Sequence, residues 1–333
     1  MIAYHELPFT LLIVIMLAGL ALLCLGGDWL CKGAAGLALR LRISRLVVGL
    51  TVVSIATSMP ELITSLYSAR QGNPGLAVGN ILGSNIANLG LILGITALIC
   101  PVVIQIRLVK NEIPFLLIAT VAFALMSFGG FLVNGEIGRV EGLVLLGMMV
   151  GYLLFVVREA RRADPAEAKA LVGEIEAAHS IRSCWFYVLA GAAMLALGAE
   201  GLVNGAVITA ERLGVGQVLI GLTVVAIGTS LPELAASVAA AIRRESDIIA
   251  GNIVGSNIFN LLFVGGTVAA LAPMEVERGL FRIEFPAMLL LTLLAWFMFF
   301  TDRKVSRKEG GMLLTLYVLI IILSAVNQGR VIS

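Results

Sequence analysis

Gly49-Leu-Thr-Val-Val-Ser-Ile-Ala-Thr-Ser-Met-Pro-Glu-Leu62 and Gly221-Leu-Thr-Val-Val-Ala-Ile-Gly-Thr-Ser-Leu-Pro-Glu-Leu234 are identical at 11 of 14 positions. The register that carries Gly49 to Gly221 also lays Gly79-Asn-Ile-Leu-Gly-Ser-Asn-Ile-Ala-Asn-Leu89 on Gly251-Asn-Ile-Val-Gly-Ser-Asn-Ile-Phe-Asn-Leu261, with 9 of 11 identical. It takes Pro101 to Pro273, Glu112 to Glu284 and Pro114 to Pro286 as well. Apolar composition alone does not hold one register that far. The chain therefore contains two copies of one unit.

The unit is a membrane unit. Of 333 residues, 59% are hydrophobic and 13% charged, and the mean hydropathy is +1.03; a soluble domain carries about 25% charged residues. A net charge of +2 gives no reason to expect a nucleic-acid partner. A span needs about 20 mostly apolar residues, and runs of that kind cover roughly 9–38, 46–69, 76–99, 113–133, 140–157, 184–210, 218–242, 248–271, 284–301 and 312–328. The start, Met1–Thr10, lacks a basic n-region and reads as part of a retained helix.

Alternate loops and their flanks hold Lys32, Arg40, Arg42, Arg45, Arg107, Lys110, Arg158, Arg161, Arg162, Lys169, Arg182, Arg243, Arg244, Arg303, Lys304, Arg307 and Lys308, which are 17 of the 23 Lys and Arg. Cytoplasmic loops carry the basic excess, so both termini are expected outside the cytoplasm. Five spans per unit is an odd number, so the second copy enters the membrane upside down, as in secondary transporters. The expected fold is an all-α membrane protein: ten transmembrane helices in two inverted five-helix repeats, 1–157 and 184–333, joined by a cytoplasmic linker at 158–183 and set in the cell (inner) membrane.

Identity peaks in spans two, three, seven and eight, so the site is sought there. Ser54, Thr57, Ser58 and Glu61 are spaced i, i+3, i+4, i+7 and share one helix face; Ala226, Thr229, Ser230 and Glu233 form the matching face. An acidic residue at helix centre costs about 2.5–3.5 kcal/mol on insertion scales, and two facing carboxylates also repel. A bound cation offsets both. Pro60 and Pro232 have no N–H for the carbonyls of Ala56 and Gly228, which distorts the neighbouring carbonyls of Thr57 and Thr229. Such oxygens are tolerated at membrane depth only where they are buried in protein or line a cavity.

Ser84 and Asn88, like Ser256 and Asn260, are spaced i, i+4 and add hydroxyl and amide oxygens. Gly79, Gly83, Gly251 and Gly255 are expected to let backbones approach closely. The pooled ligands are hard oxygens, which suit Ca²⁺ and Na⁺ and do not suit zinc or copper. Asn80, Asn85, Asn252 and Asn257 read as helix-start or interhelical hydrogen bonds, and Asp28 as the partner of Lys32. Cys24, Cys31, Cys100 and Cys184 contain no C-x-x-C pair, and His5 and His179 join no metal site.

The paired motifs Ala56-Thr57-Ser58-Met59-Pro60-Glu61 and Gly228-Thr229-Ser230-Leu231-Pro232-Glu233, with Gly-Ser-Asn-Ile-x-Asn in each half, resemble the α-repeats of the cation/calcium antiporter superfamily, in particular its prokaryotic sodium/calcium exchangers. The resemblance covers nearly the whole chain. It implies exchange of Na⁺ for Ca²⁺ by alternating access, and since two glutamates neutralise one Ca²⁺ while more than two Na⁺ leave a positive centre, the exchange is expected to be electrogenic. It also implies that Glu61 and Glu233, with the Thr57 and Thr229 carbonyls, hold Ca²⁺. Ser54, Ser58, Ser84, Ala226, Ser230 and Ser256 are then expected to complete flanking Na⁺ sites. Related exchangers often carry Asp where this chain has Asn88 or Asn260, so here a third carboxylate is absent.

Ca²⁺/H⁺ exchange at the same two glutamates is the competing reading, because protons compete at buried carboxylates. The serine-rich flanks favour Na⁺, since protons need no oxygen cage. A channel fits poorly with inverted paired sites. An enzyme is disfavoured by the absence of H-E-x-x-H and of any nucleophile–base pair with a histidine. Nothing calls for a cofactor or a protein partner; Ca²⁺ and Na⁺ are expected as substrates and the lipid bilayer as the surroundings.

Overall fold

Hydrocarbon offers no partner to a bare amide, so each apolar run must close its own backbone hydrogen bonds, and helix is the outcome. The computed structural model describes residues 7–41, 43–72, 74–129, 136–162, 180–213 and 226–332. Its helices are α1 Phe9–Leu41, α2 Arg45–Thr57, α3 Met59–Arg70, α4 Pro74–Ile99, α5 Leu108–Gly129, α6 Arg139–Arg162, α7 Ile181–Arg212, α8 Ala226–Thr229, α9 Leu231–Ile242, α10 Ser246–Leu271, α11 Arg278–Asp302 and α12 Arg307–Ile332.

Among the described residues eight helices are long and apolar enough to cross a membrane, and the pair α2–α3, bent by 42°, makes a ninth when counted as one span. The run expected at 218–242 is described only from Ala226, as α8 and α9; its first part, with residues 214–225, lies outside the described residues. So do His5, His179, Lys169 and most of the 158–183 linker.

Two helices hold the centre. In α10 and α4, 94% and 78% of the most apolar stretch is buried, against 22% in α1 and α12. Around them α1 packs along α7 and α9, α12 packs on α4, α6 on α10, α3 on α4, and α2 crosses α10. Four two-residue strands, β1 Val102–Val103, β2 Glu136–Ile137, β3 Met274–Glu275 and β4 Lys304–Val305, pair antiparallel as β1 with β4 and β2 with β3. They tie loops of the two halves together. Strands this short leave no alternating pattern, so nothing in the chain announces them.

The α2–α10 crossing is a backbone contact. A Cβ at Gly251 would stand 2.7 Å from the Leu46 carbonyl oxygen, and one at Gly49 3.0 Å from that of Ile248. Gly255 lies equally tight against the Ser54 hydroxyl. The close approach expected of Gly251 and Gly255 is thus found. No described atom comes within 4 Å of a Cβ at Gly79 or Gly83. The stretch that the repeat register pairs with Leu46–Leu50, 218–222, is outside the described residues.

The Gly251→Ala variant should therefore lose about 1–3 kcal/mol of stability through overpacking. Gly147→Ala, inside α6 where a Cβ meets nothing within 4 Å, should melt at or slightly above the wild-type temperature. Thermal melts of the two purified variants in one detergent check the contrast.

Candidate functional site

The site starts with a helix break. Pro60 cannot donate to the Ala56 carbonyl, so the ladder resumes as Ser58 N–H to Ser54 carbonyl (2.9 Å) and Leu62 N–H to Ser58 carbonyl (3.3 Å). Ser58 takes φ −87°, ψ 5°, and Ser230, its equivalent in the second half, takes φ −89°, ψ 7°. Both values lie in the sparsely populated bridge region, where active-site residues are often found. A new helix begins after each break, with Glu61 and Glu233 in the first turns of α3 and α9. The positive end of the helix dipole favours a carboxylate there.

Glu61 and Glu233 are each 1% exposed. Ser58 Oγ donates to Glu233 Oε1 across the two halves at 3.0 Å. Both oxygens of Glu61 and Oε2 of Glu233 have no hydrogen-bond partner among the described residues.

A relay of neutral groups surrounds them twice over. Thr57 Oγ1 donates to Asn252 Oδ1 (3.3 Å), whose amide nitrogen donates to Ser237 Oγ (3.0 Å). Thr229 Oγ1 donates to Asn80 Oδ1 (3.1 Å), whose amide nitrogen donates to Ser65 Oγ (2.9 Å). Each serine pins an asparagine, and each asparagine pins a threonine of the opposite half. The interhelical role expected of Asn80 and Asn252 is found. Sequence reasoning misses Ser65 and Ser237, although the repeat register pairs them and so offers a readable signal.

The remaining candidates divide. Ser230 Oγ donates to Ser84 Oγ (3.3 Å), and Ser256 Oγ to Asn252 Oδ1 (3.4 Å). Asn88 donates to Asn257 Oδ1 at 3.3 Å, which leaves Asn88 Oδ1 and both polar atoms of Asn260 unpartnered among the described residues. Asn88 opens a π-helical stretch, Asn88–Ile92, and Asn260 sits in another, Phe259–Val264; such bulges recur at functional sites. Ser54 spends its proton on the Gly49 carbonyl at 2.7 Å. Asn85 bonds its own helix at Ile81. Ala226 opens α8, and its side chain is outside the described residues. Farther off, Asp28 bonds Lys32 Nζ at 2.8 Å as expected, and also Arg243.

Five buried oxygens, of Glu61, Glu233, Asn88 and Asn260, are thus left without a donor among the described residues. Each such atom costs about 1–3 kcal/mol, and more when charged. A hard cation removes that cost. Among the described residues no group of three or more His, Cys, Asp or Glu could hold a metal; the donor-less oxygens above belong to two carboxylates and two amides.

A family model described as sodium/calcium exchanger protein matches residues 11–158 and 183–326. The chain belongs to the sodium/calcium exchanger protein family. It is a multi-pass membrane transporter, not an enzyme. The putative antiporter CaxA of Alkalimonas amylolytica is 36% identical, over 92% of this chain and 96% of that one. Inner membrane protein YrbG of Escherichia coli is 33% identical, over 90% and 92%. A solved structure of the sodium-calcium exchanger NCX_Mj, soaked with Na⁺ and Ca²⁺, superposes with a TM-score of 0.80 at 31% identity, covering 94% of this chain and 98% of that one.

A cation that fills this exchanger-family site should raise the melting temperature of the purified protein. Glu61→Gln should abolish the Ca²⁺-dependent rise. Ser58→Ala, which removes a hydrogen bond to a charged group, should weaken apparent Ca²⁺ affinity by roughly 10- to 100-fold. Melting curves across a Ca²⁺ titration read both.

Proposed function

We propose that this chain is a secondary antiporter that exchanges Na⁺ for Ca²⁺ by alternating access. The observation that carries the reading is the cluster of donor-less oxygens around two buried carboxylates. Two glutamates neutralise one Ca²⁺. Glu61, Glu233 and the Thr57 and Thr229 carbonyls hold it, and Ser54, Ser58, Ser84, Ala226, Ser230 and Ser256 serve flanking Na⁺ ions. Asn88 and Asn260 contribute neutral oxygen. More than two Na⁺ per Ca²⁺ makes the cycle electrogenic. Family membership and the likeness to NCX_Mj support the ion pair.

The architecture proposed with it is ten transmembrane helices in two inverted five-helix repeats, 1–157 and 184–333, with a cytoplasmic linker at 158–183. Three pairings support it: the matched breaks at Ser58 and Ser230, the doubled Thr–Asn–Ser relay, and the two strand pairs. Placement in the inner membrane, with both termini outside the cytoplasm, is supported by the distribution of basic loops and by the likeness to YrbG.

Proteoliposomes loaded with Na⁺ should take up radiolabelled Ca²⁺ when diluted into Na⁺-free buffer, and Glu233→Gln should abolish the flux. Uptake should fall on acidification, because a protonated carboxyl no longer neutralises the ion. Uptake driven by a pH gradient and indifferent to Na⁺ would instead establish Ca²⁺/H⁺ exchange.

Single cysteines in a background lacking the four native ones should react with impermeant reagent from outside at both termini. Those in 158–182 and 303–308 should react only from the cytoplasmic side. Termini on opposite sides would break the ten-span count.

A further inference from the structure

Away from the ion site, an open cleft of about 550 Å³ lies where the ends of three helices meet. Its apolar wall is Ile99 and Pro101, at and just beyond the end of α4, with Ile242, the last residue of α9; Arg244 and Arg307 form its charged lining. Ile242 is 71% exposed and Ile99 38%. The β1–β4 pairing holds the Pro101 and Arg307 sides of the cleft together.

Arg244 is the unusual member. It follows α9 with φ +56°, in a cap where its own N–H bonds the Ala241 carbonyl (3.0 Å) and the Glu245 N–H bonds the Ala240 carbonyl (2.9 Å). That geometry favours glycine at the left-handed position. In the first half the equivalent position in the repeat register is Gly72, at φ +81°. The second half holds an arginine in a conformation that strains any side chain, which is reason to seek a role for the side chain.

The charges around the cleft are unbalanced. Arg307 contributes one contact, from Nη2 to the Ile99 carbonyl at 3.4 Å. Of the nearby acids, Glu245 pairs with Arg45 (2.5 Å), Asp28 with Arg243 and Lys32, Asp247 with Gln105, and Glu309 with the Ser306 amide and hydroxyl, while Asp302 is exposed beside Arg303. Arg303, Lys304 and Lys308 stand exposed on the adjoining turns.

We propose that this cleft binds an anionic phospholipid, with Arg244 and Arg307 on the phosphate and an acyl chain along Ile99, Pro101 and Ile242. A cleft at helix ends that pairs guanidinium groups with apolar walls matches a lipid's two parts, and basic pockets between transmembrane helices on the cytoplasmic side recognise such headgroups. The choice of leaflet rests on the orientation proposed above; the binding chemistry does not.

The full-length protein in neutral detergent is titrated with dioleoylphosphatidylglycerol, dioleoylphosphatidylcholine or inorganic phosphate and read by native mass spectrometry. Phosphatidylglycerol should bind with a resolved stoichiometry, and Arg244→Gln/Arg307→Gln should weaken it on the order of thirtyfold. Arg244→Gly provides the second reading: it should weaken lipid binding while raising the melting temperature of the lipid-free protein, because glycine relieves the backbone. A merely structural arginine would not move the two in opposite directions.

Equal binding of phosphatidylcholine, or undiminished phosphatidylglycerol binding by the double variant, overturns the proposal. Inorganic phosphate binding as tightly as the lipid overturns it in favour of a free-anion site. These assays measure neither ion flux nor sidedness, so their failure leaves the exchange reading and the topology untouched, and failure of either of those leaves the lipid site standing.

Discussion

Glu61 and Glu233, from opposite halves of the chain, are held beside each other out of water, with three of their four oxygens lacking a hydrogen-bond donor among the described residues. A low-dielectric interior tolerates such a pair only with a positive partner or a proton. Much of the surrounding structure is arranged to keep the two together all the same. The α2–α10 crossing runs backbone against backbone at Gly49 and Gly251, and Ser58 of one half holds the carboxylate of the other.

The helix breaks and the asparagine relays solve a common problem. A carboxylate on a continuous helix would have only side chains for company. Breaking the helix at Ser58 and at Ser230 puts each glutamate in the first turn of a new helix. The Thr–Asn–Ser relays then fix the orientation of each amide, because the serine hydroxyl takes the Nδ2 donor and leaves Oδ1 to the opposite threonine. Every link crosses from one helix to another, so the relays also keep the two broken helices in register.

Legibility differed from residue to residue. Span positions were readable because hydrocarbon demands long apolar runs, and eight helices and a bent ninth lie where the runs are. The two glutamates and their serine–threonine faces were readable because packing alone does not repeat polar residues in register inside apolar helices. Asn80 and Asn252 read only as hydrogen-bonding groups, since an asparagine in a helix does not announce its partner. Ser65 and Ser237 stayed hidden because a hydroxyl in a membrane helix can bond its own preceding turn, as Thr96 and Thr120 do here.

The sequence by itself determined that the chain crosses a membrane, that it contains one unit twice, and that each copy brings one carboxylate beside a helix-breaking proline. Those facts follow from composition, periodicity and the missing proline N–H, all local in the chain. Only the tertiary structure decided which oxygens are left without donors, which serine holds which glutamate, and that Arg244 occupies a left-handed cap where the first copy has Gly72. The donors and acceptors at the site come from segments far apart in the chain that meet at hydrogen-bonding range, and the order of residues along a chain carries no distance of that kind.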